Sequence, residues 1–367
     1  MRTMPRLALV GVLLLLAGCD RSSRSDSRDV PTRVTGPLPT AADVPAPRLE
    51  GMEPRVRAII VDKRREVLEN LGRGDAWGRF GMVLHAHEVG EDARHAYRVA
   101  HELAPYDFRW AYLLAEVLHE QGLDQVDLEA VESAYRTAEE LDPEYAPLHV
   151  RLGEVRTQRG DYAGARDAYS HALELDPTII TARCGLARSL LTLGESERAL
   201  DVIRTAAQER PDDWEVQMIL ARAWGKMGDR EKARAAADRA RTLPQAIEFR
   251  DPVAATVMNY AVSATACFKR AEALYNDGNY PDALLNLRVV AEVRPDHGAV
   301  QERIGWCQLR LDRPEAAAAS FRRALSLDDS LRQAHAGLAM ALEQLGETEE
   351  ARRHQLLAQG GAGDDAR

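Results

Sequence analysis

Residues 74–107 read GDAWGRFGMVLHAHEVGEDARHAYRVAHELAPYD. Trp77, Phe80, Gly81 and Leu84 share one helical face, and Ala93, Tyr97 and Ala100 share the face of a second helix. Pro105 closes the unit, because a proline cannot continue the second helix. Small residues at Gly81, Ala93 and Ala100 let the two helices come close, while Trp77, Phe80, Leu84 and Tyr97 fill the space between them.

The same frame recurs at a period of about 34 residues. Residues 146–179 carry Leu152, Gly153, Ala165, Tyr169, Ala172 and Pro177, and residues 180–213 carry Leu186, Ala187, Ala199, Ala206 and Pro211. Residues 214–244, 264–297, 298–331 and 332–359 continue it, with Trp224, Tyr280, Phe321 and Leu338 among the large positions. Residues 108–145 fit with a lengthened turn inside the unit, at 121–127, and with Val131 where an alanine is usual. The glycines are read as sitting at the eighth position of a unit, for packing, and at the fifteenth, for the turn. The pattern resembles the tetratricopeptide repeat (TPR) family. The resemblance implies an all-α fold, a right-handed α-solenoid of about eight helix pairs, with repeats 1–5 over 74–244 and repeats 6–8 over 264–359.

Repeat arrays need their ends covered. Residues 54–73 supply a capping helix, with Pro54 in its first turn and Val56, Ile59, Ile60, Val67, Leu68 and Leu71 on one face. Between the two blocks of repeats, residues 245–263 read as a linker and helix extension. Asp251 and Pro252 form a start signal, and nothing in the sequence stops a helix before Asp277. Two alternatives are open for this segment: a spacer packed on the fifth repeat, or a hinge or docking surface. Residues 360–367 read as a disordered tail.

The first residues have another purpose. Arg2 and Arg6 precede an apolar run from Leu7 to Ala17, too short to span a bilayer, which needs about 20 apolar residues. The run ends in Leu16-Ala17-Gly18-Cys19, which resembles the lipobox of bacterial lipoproteins. That resemblance implies a signal peptide over 1–18, cleaved before Cys19, and a covalent lipid on the Cys19 thiol. Several acyl chains on one cysteine anchor firmly at about 0.8 kcal/mol per buried CH₂. Residues 19–53, with Pro31, Pro37, Pro39, Pro45 and Pro47, read as a disordered tether. The expected location is the cell envelope, facing the periplasm. Asp20 after the lipidated position favours the inner over the outer membrane by analogy with enteric lipoproteins.

The net charge of −10 makes the chain a poor binder of nucleic acid, which needs basic phosphate contacts. No phosphate-binding glycine loop, Gly-x-Ser-x-Gly, His-Glu-x-x-His or Cys-x-x-Cys-His motif occurs, so neither an enzyme, a small-molecule substrate, a metal nor a cofactor other than the lipid is expected. Cys184, Cys267 and Cys307 read as small buried residues, and His85 and His119 as structural or solvated rather than metal ligands.

TPR proteins bind protein or peptide partners in a concave groove lined by the first helix of each repeat. Carried onto this chain, the resemblance places Arg79, His85, Tyr112, Glu116, His119, Arg151 and Glu154 in that groove. Further along it places Arg188, Arg222, Glu272, Tyr275, Arg303 and Trp306 there. Glu116, Glu154, Arg188, Arg222 and Glu272 would form a row whose charge changes sign twice. They would either meet complementary charges on a partner or pair among themselves across adjacent helices. The resemblance implies a membrane-anchored scaffold for envelope assembly, or alternatively a component of an exopolysaccharide or protein secretion apparatus.

Overall fold

The computed structural model describes residues 37–120, 127–244 and 249–359. The leader with Cys19, the insertion at 121–126 and the tail from 360 lie outside the described residues. Among the described residues there are eighteen α-helices and no strand. Helix α1 (Pro54–Glu69) precedes five helix pairs: α2 (Gly74–Ala86) with α3 (Gly90–Leu103), α4 (Phe108–His119) with α5 (Leu128–Leu141), α6 (Ala146–Gln158) with α7 (Tyr162–Leu175), α8 (Ile180–Thr192) with α9 (Ser196–Glu209), and α10 (Trp214–Lys226) with α11 (Arg230–Ala240). A short α12 (Pro252–Met258) follows. Three more pairs complete the array: α13 (Ala264–Asn276) with α14 (Tyr280–Val293), α15 (Gly298–Arg310) with α16 (Pro314–Leu327), and α17 (Arg332–Leu345) with α18 (Thr348–Ala358). None of these helices is long and apolar enough to cross a membrane.

Local chemistry sets the helix ends. The side chains of Asp107, Asp127, Asp161, Asp213, Asp229 and Asn279 accept backbone N–H bonds at the first turns of their helices. The turn inside most pairs passes through a glycine in the left-handed region, at Gly160, Gly194, Gly228, Gly278 and Gly346, with φ between 79° and 86°. In the first and seventh pairs Glu88 and Asp312 hold that conformation, at φ 62° and 56°.

The pairs are joined by buried aromatic rings. Tyr169 on α7 lies between Gly153 of its own pair and Gly185 of the next, where a Cβ would come within 2.6 and 2.4 Å of the ring. Phe321 on α16 sits in the same way between Gly305 and Gly337, at 2.7 and 2.2 Å. Tyr97 faces Gly81, and Trp110 reaches back to Gly78. Gly185 and Gly337 come at the sixth position of their units, so the reading that confined glycines to the eighth and fifteenth positions is corrected. A ring lodged between two successive first helices requires the second helix to lack a side chain as well. First helices touch one another where α6 meets α8, α8 meets α10 and α15 meets α17, while α12 packs against both α2 and α4, and this side of the helix pairs is the inner layer.

Two segments depart from expectation. Residues 37–53 are not a free tether. Val44 is 4% exposed, Arg64 donates to the Pro45 carbonyl at 2.8 Å, and His95 bonds the Asp43 carbonyl at 2.9 Å. Leu49 and Met52 pack on the core that α1 shares with α2 and α3. This proline-containing segment makes one 3-10 turn, Ala41–Asp43, and lies against these helices.

The second departure is at 252–277, which is not one helix. Helix α12 ends at Met258 and α13 begins at Ala264. The break is held from three sides. Ser263 caps α13 by accepting from the Ala266 N–H, and Glu53 accepts from the Ala264 N–H at 2.8 Å. Arg270 donates to the Met258 and Ala261 carbonyls at 2.7 and 2.9 Å, partners that a continuous helix would have bonded with its own backbone. The segment also leaves the fifth pair. Helix α12 packs against α2 and α4, and an Arg55–Glu292 ion pair joins α1 to α14 nearby.

A paired substitution tests the ring-and-glycine joint. Gly185→Ala is expected to lower stability by about 1–3 kcal/mol through overpacking against Tyr169. Gly225→Ala, where the nearest atom to a new Cβ is 4.0 Å away, is expected to raise it by about 0.5–1 kcal/mol through helix propensity. Urea denaturation of both variants checks the difference in sign.

Candidate partner-binding groove

The inner layer divides into an occupied and an open part. Over the first three pairs it is filled by residues 249–263, hereafter the strap. Asp251, 5% exposed, accepts from the Tyr112 hydroxyl at 2.5 Å and the Tyr145 hydroxyl at 2.7 Å. The same carboxylate caps α12 through the Val253 and Ala254 N–H groups, at 3.1 and 2.9 Å. Val257 is buried in the core of the first two pairs, and His87 bonds the Tyr260 carbonyl at 3.1 Å. At the other end Phe249 lies under the Arg151 guanidinium, 4.9 Å from its centre.

Beneath the strap is a buried polar cluster. Glu116, 3% exposed, accepts from the Tyr135 hydroxyl at 2.5 Å and pairs with Arg151 at 3.0 Å. Arg151 also reaches Glu154 at 3.0 Å. Burial pushes the Glu116 carboxyl up to about 7 despite Arg151 and the Tyr135 hydroxyl, and the Asp251 charge adds to the rise. Burial works against the charge on Arg151, but Glu116 and Glu154 outweigh it and its pKa is raised. Tyr112 and Tyr135 are likewise pushed well up, first by burial and then by the Glu116 charge.

The other residues assigned to the groove take individual places. Arg79 pairs with Glu66 of α1 at 2.5 Å. His85 bonds Glu120 at 2.8 Å and Tyr97 at 3.3 Å, and His119 bonds Gln158 at 3.0 Å and Tyr135 at 3.3 Å. Among the described residues no three metal-ligating side chains converge. Beyond the strap, Arg188 pairs with Glu215 at 2.9 Å and Arg303 with Glu272 at 3.0 Å, while Arg222 is exposed. Arg303 also lies 6.0 Å above Tyr275, and Trp306 meets Phe321 edge-on at 5.4 Å. Glu116 and Glu154 share Arg151, and Arg188 and Glu272 each have a partner on the chain. Among the described residues the row does not pair within itself: its partners are Arg151, Glu215 and Arg303, all outside the row, and Glu116 is buried beneath the strap. Cys184, Cys267 and Cys307 are buried free thiols, and burial raises each pKa, that of Cys307 to about 11.

Sequence reasoning did not find Tyr145, Phe249 or Val257, and it read Asp251 as a helix start only. The Asp251-Pro252 cap was legible, but no local signal names a partner 139 residues away.

Tetratricopeptide repeat family models match residues 156–223, residues 127–178 with 268–332, and residues 214–239 with 332–354. The chain belongs to the tetratricopeptide repeat family. No curated protein sequence matches it. Among solved structures it is similar to YrrB, described as a TPR protein with an unusual peptide-binding site, at 20% identity over 55% of this chain and 96% of that one, with a TM-score of 0.29. A tetratricopeptide repeat protein from Parabacteroides merdae is 17% identical over 70% of this chain and 94% of its own, with a TM-score of 0.33. The TPR2AB domain of yeast Sti1, in a complex with pHSP90, is 17% identical over 59% and 93%, with a TM-score of 0.25. At these identities the likeness is one of fold alone. As a TPR array the chain is a protein–protein interaction scaffold, and its inner layer is the candidate surface.

Glu116 gives the cluster a measurable pH signature. Its folded pKa, about 7, lies above the ordinary 4.5, so between those values the folded state binds more protons than the unfolded one. Stability from this group is therefore present below pH 4.5 and falls as pH rises toward 7. Glu116→Gln removes that titration. The melting temperature of the wild type is expected to fall more steeply than that of the variant between pH 4.5 and 7, and parallel curves would show that Glu116 is ionised throughout.

Proposed function

We propose that the protein is a membrane-anchored extracytoplasmic scaffold that brings envelope proteins together. The observation that carries the proposal is the joining, in one chain, of the Leu16-Ala17-Gly18-Cys19 motif to an eight-pair interaction array. In this proposal the lipid on Cys19 holds the array at the membrane, with the inner membrane favoured over the outer. The protein or peptide partner meets the open inner layer of the later pairs. There Tyr275 and Trp306 supply partly buried aromatic surface suited to anchoring, and Arg188 and Arg222 supply exposed positive charge. Complementary charge of this kind sets register and association rate more than affinity.

Two experiments test the proposal. Cys19→Ser is expected to abolish labelling by a palmitate analogue and to move the protein out of the membrane fraction; equal labelling of both forms refutes the anchor. Arg188→Glu with Arg222→Glu is expected to remove the partner recovered from crosslinked envelopes while leaving helicity intact. Arg188→Glu replaces an ion pair with Glu215 by a like-charge contact at a partly buried carboxylate, so circular dichroism of the double variant accompanies the recovery measurement. Unchanged recovery at low salt places the partner elsewhere.

A further inference from the structure

We propose that the strap is a resident ligand of the inner groove of the first three pairs, and that the partner for this groove carries the same chemistry: a carboxylate at the head of a short apolar helical turn, which takes the strap's place. The inference rests on the array being an interaction scaffold and is independent of the membrane anchor.

The groove recognises the strap by few, separable features. Two tyrosine hydroxyls, Tyr112 on α4 and Tyr145 just before α6, converge on one carboxylate, that of Asp251. The Tyr145 hydroxyl also accepts from the Val253 N–H at 3.0 Å, so the site reads the carboxylate together with the first turn that follows it. Past this point the strap's two valines meet apolar surface, while His87 bonds the Tyr260 carbonyl. Val253 packs against the cores of both adjoining pairs, and Val257, one turn later, is buried in the core of the first two. Asp-Pro-Val-x-x-x-Val, an acidic cap followed by two valines four residues apart, is the pattern that the groove accepts. The two tyrosines donate hydrogen bonds to the acid and add no charge, so the ligand is selected by a fitted acidic cap rather than by a basic patch.

Three observations make the strap exchangeable although Val257 reaches the core. Helix α12 has seven residues, too few to be stable by itself, so its helicity depends on the groove. The Asp251 charge lies close enough to Glu116 to raise that group's pKa, so the strap brings a second acid to a buried site that already holds one. The fit is also incomplete among the described residues, where Arg151 Nε, on the guanidinium that covers Phe249, is buried without a hydrogen-bond partner.

The probe is a fluorescent peptide of residues 249–263, FRDPVAATVMNYAVS, titrated into the full chain. Asp251→Ala with Val257→Asp, both on the strap, frees the groove without altering it. This released chain is expected to bind the peptide at least tenfold more tightly than the unaltered chain, whose groove is filled. Adding Tyr112→Phe and Tyr145→Phe, or using a peptide with Asn in place of Asp251, is expected to weaken binding at least tenfold. Equal binding by released and unaltered chains, or indifference to the Asp-to-Asn change, overturns the proposal. Should the released chain lose its helical signal, hydrogen exchange on the unaltered chain decides. Excess peptide is expected to speed exchange at Val253 and Ala254 and to leave α8 and α10 unchanged, whereas no change at Val253 and Ala254 counts against a displaceable strap. Cys19 labelling and partner recovery through Arg188 and Arg222 are unaffected by any of these outcomes, so failure here is separable from failure of the scaffold reading.

Discussion

A helix pair of this kind cannot bury its own apolar face, and at two joints, third pair to fourth and seventh to eighth, an aromatic ring clasped between two glycines answers that constraint. Tyr169 and Phe321 each project from a second helix into the gap between successive first helices. At both positions the approach is so close that a methyl group would collide with the ring. The ring therefore sets the spacing between first helices and fixes how one pair follows the next. Pairs held in this way keep their first helices in contact along the inner layer, α6 with α8 and α15 with α17.

The strap shows what that layer accepts. Its position follows from where the charge on Asp251 can be satisfied. A buried carboxylate needs hydrogen bonds, and the tyrosines of the second and third pairs, together with the strap's own first turn, supply four. Once Asp251 is held there, Val257 reaches the core of the first two pairs, and the chain must return to the sixth pair by way of the capping helix. The bonds from the Ala264 N–H to the Glu53 carboxylate and from Arg270 to the Met258 and Ala261 carbonyls mark that return. The same return brings α1 beside α14 through Arg55 and Glu292, so the two blocks of repeats meet at the N-terminal cap.

Electrostatics within the inner layer are largely internal. Arg151 serves both Glu116 and Glu154, Arg188 serves Glu215, and Arg303 serves Glu272. The first of these clusters is closed off by the strap, where burial dominates and Glu116 is driven toward its neutral form. The Arg188–Glu215 and Arg303–Glu272 pairs are more exposed and better screened by water, and Arg222 is exposed.

Sequence alone determined the helix pairs, their number and most of their ends. Capping aspartates, left-handed turn glycines and the spacing of alanines and aromatics act within a few residues of themselves. It also placed the capping helix, since Val56, Ile60 and Val67 declare one apolar face. Tertiary structure alone decided that residues 37–53 lie on the core and that the helix expected over 252–277 breaks at 259–263. It also decided that the acid of a helix cap binds tyrosines 106 and 139 residues away. The physical reason is the same each time. A backbone carbonyl claimed by Arg270, or a carboxylate claimed by Tyr112 and Tyr145, is satisfied by a group brought near only once the array has stacked, and no periodicity in the chain encodes that meeting.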